Sequence, residues 1–329
     1  MLYAGSTDGV YRITGIADGA SVATDRVLAS GSVYRLASVA FDGRRGLLAA
    51  GESGLVHSWN GREWTELPVP RDAVYAVAVS PSGGRLYAGT RPSGCFVADV
   101  DSSLPTDAAD WDPVAGFRRL AEREDWGIPR HDGISQVRSL ETHPDAPNRL
   151  IAGVEVGGVH VSEDGGETWT ARRIDGFDAP HTDDVHHLAP ADAETIVAST
   201  GSGLFRSTDV GRTWTRLDTG VSQRYARESI VHEGAVYAGL APSSSTSWNE
   251  DDGHGLFVAR DGSDSLEPID APAADEVVVG WGVVDGDLLA ATHQGTLLAR
   301  RAGDWSIAGQ LPTPDAALAR YLPLADHPA

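Results

Sequence analysis

The sequence predicts an all-β ring of seven four-stranded blades, and three observations carry this. A short apolar anchor recurs seven times, with its alanine at positions 4, 50, 88, 152, 198, 238 and 290. After each anchor a short loop leads to a glycine and a second apolar strand, as in Gly9-Val10-Tyr11, Gly94-Cys95-Phe96 and Gly203-Leu204-Phe205. With 38 Gly, 18 Pro and one Met, the chain is also rich in turns and poor in long-helix composition.

Each element of the unit follows in order. The first strand, A, is an alternating apolar stretch before the anchor, such as Val33-Tyr34-Arg35-Leu36, Val74-Tyr75-Ala76-Val77 or Val137-Arg138-Ser139-Leu140. The anchor is strand B, exemplified by Leu86-Tyr87-Ala88-Gly89 and Val236-Tyr237-Ala238-Gly239. The glycine-led run is strand C, where glycine permits a close backbone approach. A tryptophan-led polar strand, D, closes the unit at Trp64-Thr65, Trp169-Thr170, Trp214-Thr215 and Trp305-Ser306. Four-strand units of roughly 40 to 45 residues are propeller blades.

The ends complete the pattern. The chain opens on a B strand at Leu2, and an A-like strand without a partner lies near the other end, at Leu318-Ala319-Arg320-Tyr321-Leu322-Pro323-Leu324. One domain over 1–329 is expected, with strands B to D of the closing blade near 1–30 and its A strand near 317–325. Pairing the two ends would remove the free sheet edges.

Composition narrows the function. Acidic residues number 47 against 26 basic ones, for a net charge of −21, and every one of the basic residues is Arg. Such a surface repels phosphate backbones and anionic membranes, so neither nucleic acid nor membrane is expected as a partner. Acid excess without Lys is the habit of halophilic proteins, whose hydrated carboxylates keep them soluble in saturated salt. No leader pattern or apolar run of about 18 residues occurs, and a soluble, cytoplasmic protein is expected. A single cysteine, Cys95, excludes an internal disulfide and a thiolate cage.

Two segments share a tighter spacing: Ser162-x-Asp164-x-Gly166-x-Thr168-Trp169 and Ser207-x-Asp209-x-Gly211-x-Thr213-Trp214. Degenerate copies run from Ser58 to Trp64 and from Arg300 to Trp305. Chemically this is a turn, in which the Asp carboxylate accepts backbone N–H bonds, glycine takes a left-handed conformation and Trp packs between sheets. The spacing resembles the Asp-box, or BNR repeat, of sialidases and many other propellers, including a haloarchaeal propeller family. The resemblance implies the fold and a structural role for Ser162, Asp164, Gly166, Trp169, Ser207, Asp209, Gly211 and Trp214, with no particular activity. Sialidases bind a carboxylate with three arginines and use an acid/base Asp and a Tyr–Glu nucleophile pair. Tyr11-Arg12-Ile13-Thr14 is similar to their opening Tyr/Phe-Arg-Ile-Pro segment. The proline is missing, however, and Arg12 shares a strand C column with Arg206. Sialidases also have six blades, so sialidase activity is not expected.

In a propeller the D–A and B–C loops meet around the mouth of the central channel, which is where a site is expected. His181-Thr182-Asp183-Asp184-Val185-His186-His187 is the richest such loop. It offers His181, Asp184 and His186 for a divalent cation such as Zn²⁺ or Mn²⁺, though its spacing matches no established metal signature. Asp183, Asp184, His186 and Glu155 are the catalytic candidates. Arg91, His131, His181, Tyr225, Arg227, Trp248, His254 and His293 are the ligand-binding ones. Two long loops, 241–254 and 116–133, add Trp248 and Trp126 for stacking on a sugar, and Arg118, Arg119, Arg123 and Arg130. With Arg91, Arg224 and Arg227 these arginines would bind a carboxylate or sulfate, unless they pair with the abundant acids. No Gly-x-Ser-x-Gly elbow, phosphate loop or His-Glu-x-x-His motif is present.

Three functions fit: a binding module for a protein partner or an anionic or saccharide ligand, a glycoside hydrolase or lyase using rim carboxylates and His, and an assembly scaffold. Binding is the first expectation.

Overall fold

A computed structural model describes residues 1–16, 22–41, 43–100, 103–124, 126–128, 132–313 and 321–327. The strands form seven four-stranded antiparallel sheets, each with the order A, B, C, D. Blade one joins Leu324–Asp326 to Leu2–Ser6, Gly9–Thr14 and Ala23–Ala29. The A strands of blades two to seven are Val33–Phe41, Ala73–Val79, Val137–His143, Val185–Pro190, Tyr225–His232 and Val278–Val284. Each A strand touches the next in cyclic order, and Leu324–Asp326 touches both the seventh and the second. The A strands therefore line the axis of a closed seven-bladed β-propeller.

Closure rests on named contacts. Leu2 pairs with Asp326 and Ala4 with Leu324, and the Gly5 N–H donates to the Pro323 carbonyl at 2.8 Å. The N-terminal ammonium meets Asp326 at 2.7 Å. Gly280 is obligatory on the seventh A strand, because a Cβ there would stand 1.9 Å from the Leu322 carbonyl oxygen.

The core is divided into seven apolar seams, one between each pair of neighbouring blades. Strand alternation causes this: Leu2 and Ala4 face the seam with blade seven, while Tyr3 between them faces the seam with blade two. Cys95 is buried in the seam between blades three and four, and burial pushes its thiol up to about 12.

The two Ser-x-Asp-x-Gly-x-Thr-Trp segments form turns of one design. Asp164 accepts from the Thr168 N–H at 2.8 Å and the Thr168 hydroxyl at 2.6 Å, and Ser162 accepts from the Gly166 N–H at 2.8 Å. Asp209, Thr213, Ser207 and Gly211 repeat this, with distances of 2.8, 2.7 and 2.7 Å. Gly166 (φ 97°) and Gly211 (φ 78°) take the left-handed conformation the turn needs. Trp169 is buried and donates to the Gly166 carbonyl at 3.0 Å, whereas Trp214 packs at the edge of the seam between blades four and five.

Hydrogen bonds from Thr168 hold Asp164 down to about 2, and those from the Thr213 backbone and side chain hold Asp209 there too. A carboxyl depressed from 3.8 in the folded state stabilises it above that value and loses the contribution as pH falls through about 2. In an Asp164→Asn/Asp209→Asn variant, chemical denaturation should therefore show a shallower fall of stability between about pH 4 and pH 2. An unchanged slope would show that the two carboxylates carry no acid sensitivity.

The extension after blade three holds a helix, α1, Ala115–Arg123, which the turn-rich composition did not suggest. Gly116, Phe117 and Leu120 are its buried face, with Phe117 5.2 Å from Trp169 ring to ring. Arg118, Arg119 and Arg123 lie on its exposed side, and Arg119 donates to the Glu167 carbonyl at 2.8 Å.

Candidate functional site

A cavity of about 730 Å³ opens at the channel mouth, lined by loops and A strands of six blades. Its position follows from a device repeated in the innermost strands. In blades two to seven the A–B pairing skips one residue near the start of strand A, for example between Val33↔Gly51 and Arg35↔Ala50. Such a bulge bends the strand and re-aims the side chain of the extra residue. The extra residues are Tyr34, Tyr75, Arg138, His186, Val279 and, in blade six, one of Arg227 and Glu228 opposite Gly239. Tyr34, Tyr75, Arg138 and Arg227 line the cavity.

The floor combines cations, carboxylates and rings. Glu155 accepts from Arg138 at 2.7 Å and from the Gln136 amide at 2.5 Å. Both members of this ion pair are buried, with side chains 5% and 6% exposed. The Arg138 guanidinium also bonds the Tyr321 hydroxyl at 2.5 Å. Arg227 lies 4.2 Å above the Tyr321 ring, a cation–π stack. Tyr34 and Tyr75 stack at 4.1 Å and 16°, and Tyr321 stands 4.9 Å from Tyr34.

Electrostatics fix the charge states. Burial opposes ionisation of Glu155, but Arg138, with His186 and Arg227, outweighs it and holds the carboxyl below its usual value. Burial likewise opposes the charge on Arg138, and Tyr321 and Glu155 overcome it. Deeper in the channel, burial pushes Glu141 up to about 7 against the pull of Arg35 and the Ser139 hydroxyl. Glu141 faces a separate cavity of about 570 Å³, lined by residues on either side of the blade two and three A–B turns.

Six of the expected site residues meet in the mouth cavity: Arg91, Glu155, His181, Asp184, Tyr225 and Arg227. Arg224 joins them and is tied to Asp218 at 3.0 Å. His186 lies buried beside them, its Nε2 3.6 Å from Asp184 Oδ1 and its ring 4.6 Å from Tyr225. His131 and Arg130 lie outside the described residues.

Other expectations are corrected. Asp183 does not line the cavity; its carbonyl accepts the Gly157 and Gly158 N–H groups at 3.1 and 2.9 Å, and it anchors its loop instead. Trp248 is 1% exposed and belongs to the seam core, so no ligand reaches it. It donates to the Ser243 carbonyl at 3.1 Å and stands 5.6 Å from His293. His254 bonds the Trp248 carbonyl at 3.0 Å, and His293 accepts the Val277 N–H at 2.9 Å. These three form a small core beneath the 241–254 insertion, and burial, with His254 nearby, pushes His293 down to about 4. Trp126 packs 5.5 Å from Phe117 and 5.0 Å from His160. The arginines of α1 do not line the cavity.

The metal reading lacks a ligand set. Among the described residues no three His, Cys, Asp or Glu side chains gather as metal ligands. His181 and Asp184 line the cavity, but His186 Nδ1 is engaged by the Ala226 carbonyl at 2.7 Å. Zn²⁺ sites need three or four converging donors.

Arg138, Gln136, Tyr34, Tyr75 and Tyr321 were not singled out from the sequence as site residues. For Tyr34, Tyr75 and Arg138 the signal was the aromatic or charged residue after a valine at the start of strand A, at Val33, Val74 and Val137; Gln136 and Tyr321 carry no such mark.

No family model matches the sequence, and no curated protein matches it. Solved structures share the fold. A GH74 xyloglucanase from Xanthomonas campestris superposes with a TM-score of 0.64 at 17% identity, covering 98% of this chain and 52% of that one. A GH74 enzyme from Niastella koreensis gives 0.61 at 13% identity, covering 85% and 46%. YCF48 bound to D1 peptide gives 0.58 at 13% identity, covering 84% and 80%. The WD40 β-propeller domain of Doa1 gives 0.58 at 11%, covering 87% and 83%. The chain thus spans about half the length, or less, of the GH74 structures. At these identities the likeness concerns fold, which propellers use for enzymes and binding modules alike.

Proposed function

We propose that this chain is a binding propeller whose channel mouth takes an anionic ligand. One observation carries the reading. In a chain of net charge −21, the described lining residues of the cavity include Arg91, Arg138, Arg224 and Arg227 against Glu155 and Asp184, an excess of guanidinium groups over carboxylates. Guanidinium groups bind carboxylates through paired, charge-assisted hydrogen bonds, and an arginine stacked on a ring is pre-oriented for that geometry. Oxyanions are thereby drawn to this cavity.

A hydrolase reading would use Glu155 and Asp184. Glycoside cleavage needs a carboxylic acid kept protonated near neutral pH, and Glu155 is held in the opposite direction by Arg138. Binding is therefore the better-supported function.

Calorimetric titration with succinate and with sulfate tests it. Binding should weaken with added salt and fall at least about tenfold in Arg227→Gln, the loss expected for one charge-assisted contact of about 1.5–3 kcal/mol. If Arg227→Gln binds the anions as well as the unaltered chain does, or if added salt leaves their binding unchanged, the reading fails.

A further inference from the structure

Resting on that reading, we infer that the ligand is a sugar acid, a pyranose ring bearing one carboxylate and several hydroxyls. The cavity holds both signs of charge: beside the arginines stand Glu155 and Asp184, which repel a bare anion and accept hydrogen bonds from a ligand that carries donors. Sulfate offers no such donor and hydrogen phosphate only one or two, whereas a polyhydroxy carboxylate satisfies both sets at once. Tyr34 and Tyr75, stacked on each other at 4.1 Å, bring aromatic surface to the lining together with Tyr225, against which the apolar face of a pyranose can pack. Around the rim, Ser6, Thr7, Ser32 and residues 243–246 add a series of hydroxyls. Val33 and Pro242 are the only aliphatic side chains among the described lining residues. An aliphatic peptide side chain therefore finds few aliphatic partners there, which disfavours an aliphatic peptide terminus as the source of the carboxylate.

In the complex, Arg227 and Arg138 face the carboxylate, the Tyr34–Tyr75 pair packs against the ring, and Glu155 and Asp184 accept hydrogen bonds from its hydroxyls. The test compares D-glucuronate, D-glucose, succinate and a short peptide with a free C-terminus by calorimetry on the full chain. Glucuronate should bind at least about tenfold more tightly than any of the other three. Tyr34→Ala should weaken glucuronate at least fivefold and leave succinate unchanged. Asp184→Ala should move the two ligands in opposite directions, weakening glucuronate through the lost acceptor and strengthening succinate through the lost repulsion. Each variant is first checked for an unaltered circular dichroism spectrum, and Tyr34→Ala decides if Asp184→Ala fails to fold. Glucuronate binding no tighter than succinate overturns the sugar-acid inference and leaves the anion reading standing. Tighter binding of the peptide replaces the ligand class with a peptide terminus. If neither glucuronate nor succinate binds, both readings fall together.

Discussion

Deletion of residues 321–329 is expected to abolish the cooperative unfolding of the propeller, read as loss of a single sharp transition in guanidinium chloride. The deleted segment supplies the innermost strand of blade one, and with it Leu322 and Leu324, 0% and 6% exposed in the seam between blades seven and one. Without it the hydrogen-bonding edge of Leu2–Ser6 is bared, Gly5 loses its carbonyl partner, and the groove beside Gly280 has nothing to fill it. Large-to-small changes at such buried leucines cost about 2–5 kcal/mol, against a typical total stability of about 5–15 kcal/mol. Leu322→Ala alone should therefore lower the denaturation midpoint strongly. A truncated chain that unfolds in one transition at the original midpoint would show that the ring is held by its other seams.

Arg138→Ala is expected to be the most damaging single change at the channel mouth, at about 3–5 kcal/mol, because it strands the Glu155 carboxylate in a buried site. Arg138 also bonds the Tyr321 hydroxyl and lies 5.1 Å from that ring, so the change loosens the closing segment as well. The compensating variant separates these effects. Arg138→Met combined with Glu155→Leu removes both charges and keeps volume, and should recover most of the lost stability. Denaturation of Arg138→Met, of Glu155→Leu and of the double variant completes a double-mutant cycle. If Arg138→Ala unfolds at the wild-type midpoint, the buried pair contributes nothing.

The sequence made the architecture legible because a blade writes its signature in neighbouring residues. The Ala-Gly anchor and following glycine mark a local hairpin, and seven such hairpins leave little choice of fold. Closure was legible for the same reason, since Leu2 lacked an A strand that a segment near the other end could supply; the strand that pairs with Leu2 is Leu324–Asp326, at the far edge of the expected 317–325, and residues 317–320 lie outside the described ones. The candidate site was legible where a loop concentrates polar residues, as in His181, Asp184 and Glu155, or where arginine precedes a strand, as in Arg224. It was obscured where function lies within a strand. Arg138 and Tyr75 read as members of an alternating stretch, and only the bulge, a feature of pairing between strands, turns them toward the axis. Trp248, His254 and His293 misled for another reason: an insertion of this length needs an apolar centre of its own, and a buried tryptophan there has the same letter as an exposed one. The arginines of α1 likewise joined the expected rim cluster until the buried face of Phe117 and Leu120 set them outside it.

Tyr321 gives the propeller an economy of parts. It belongs to the segment that shuts the circle, and its ring also forms a wall of the cavity, beneath Arg227 and beside Tyr34. If the mouth binds as proposed, occupancy and completion of the molecule are coupled through one side chain. A chain clipped near this end would possess six intact sheets and an incomplete cavity, and a guest held at the mouth would in turn fasten the latch behind it.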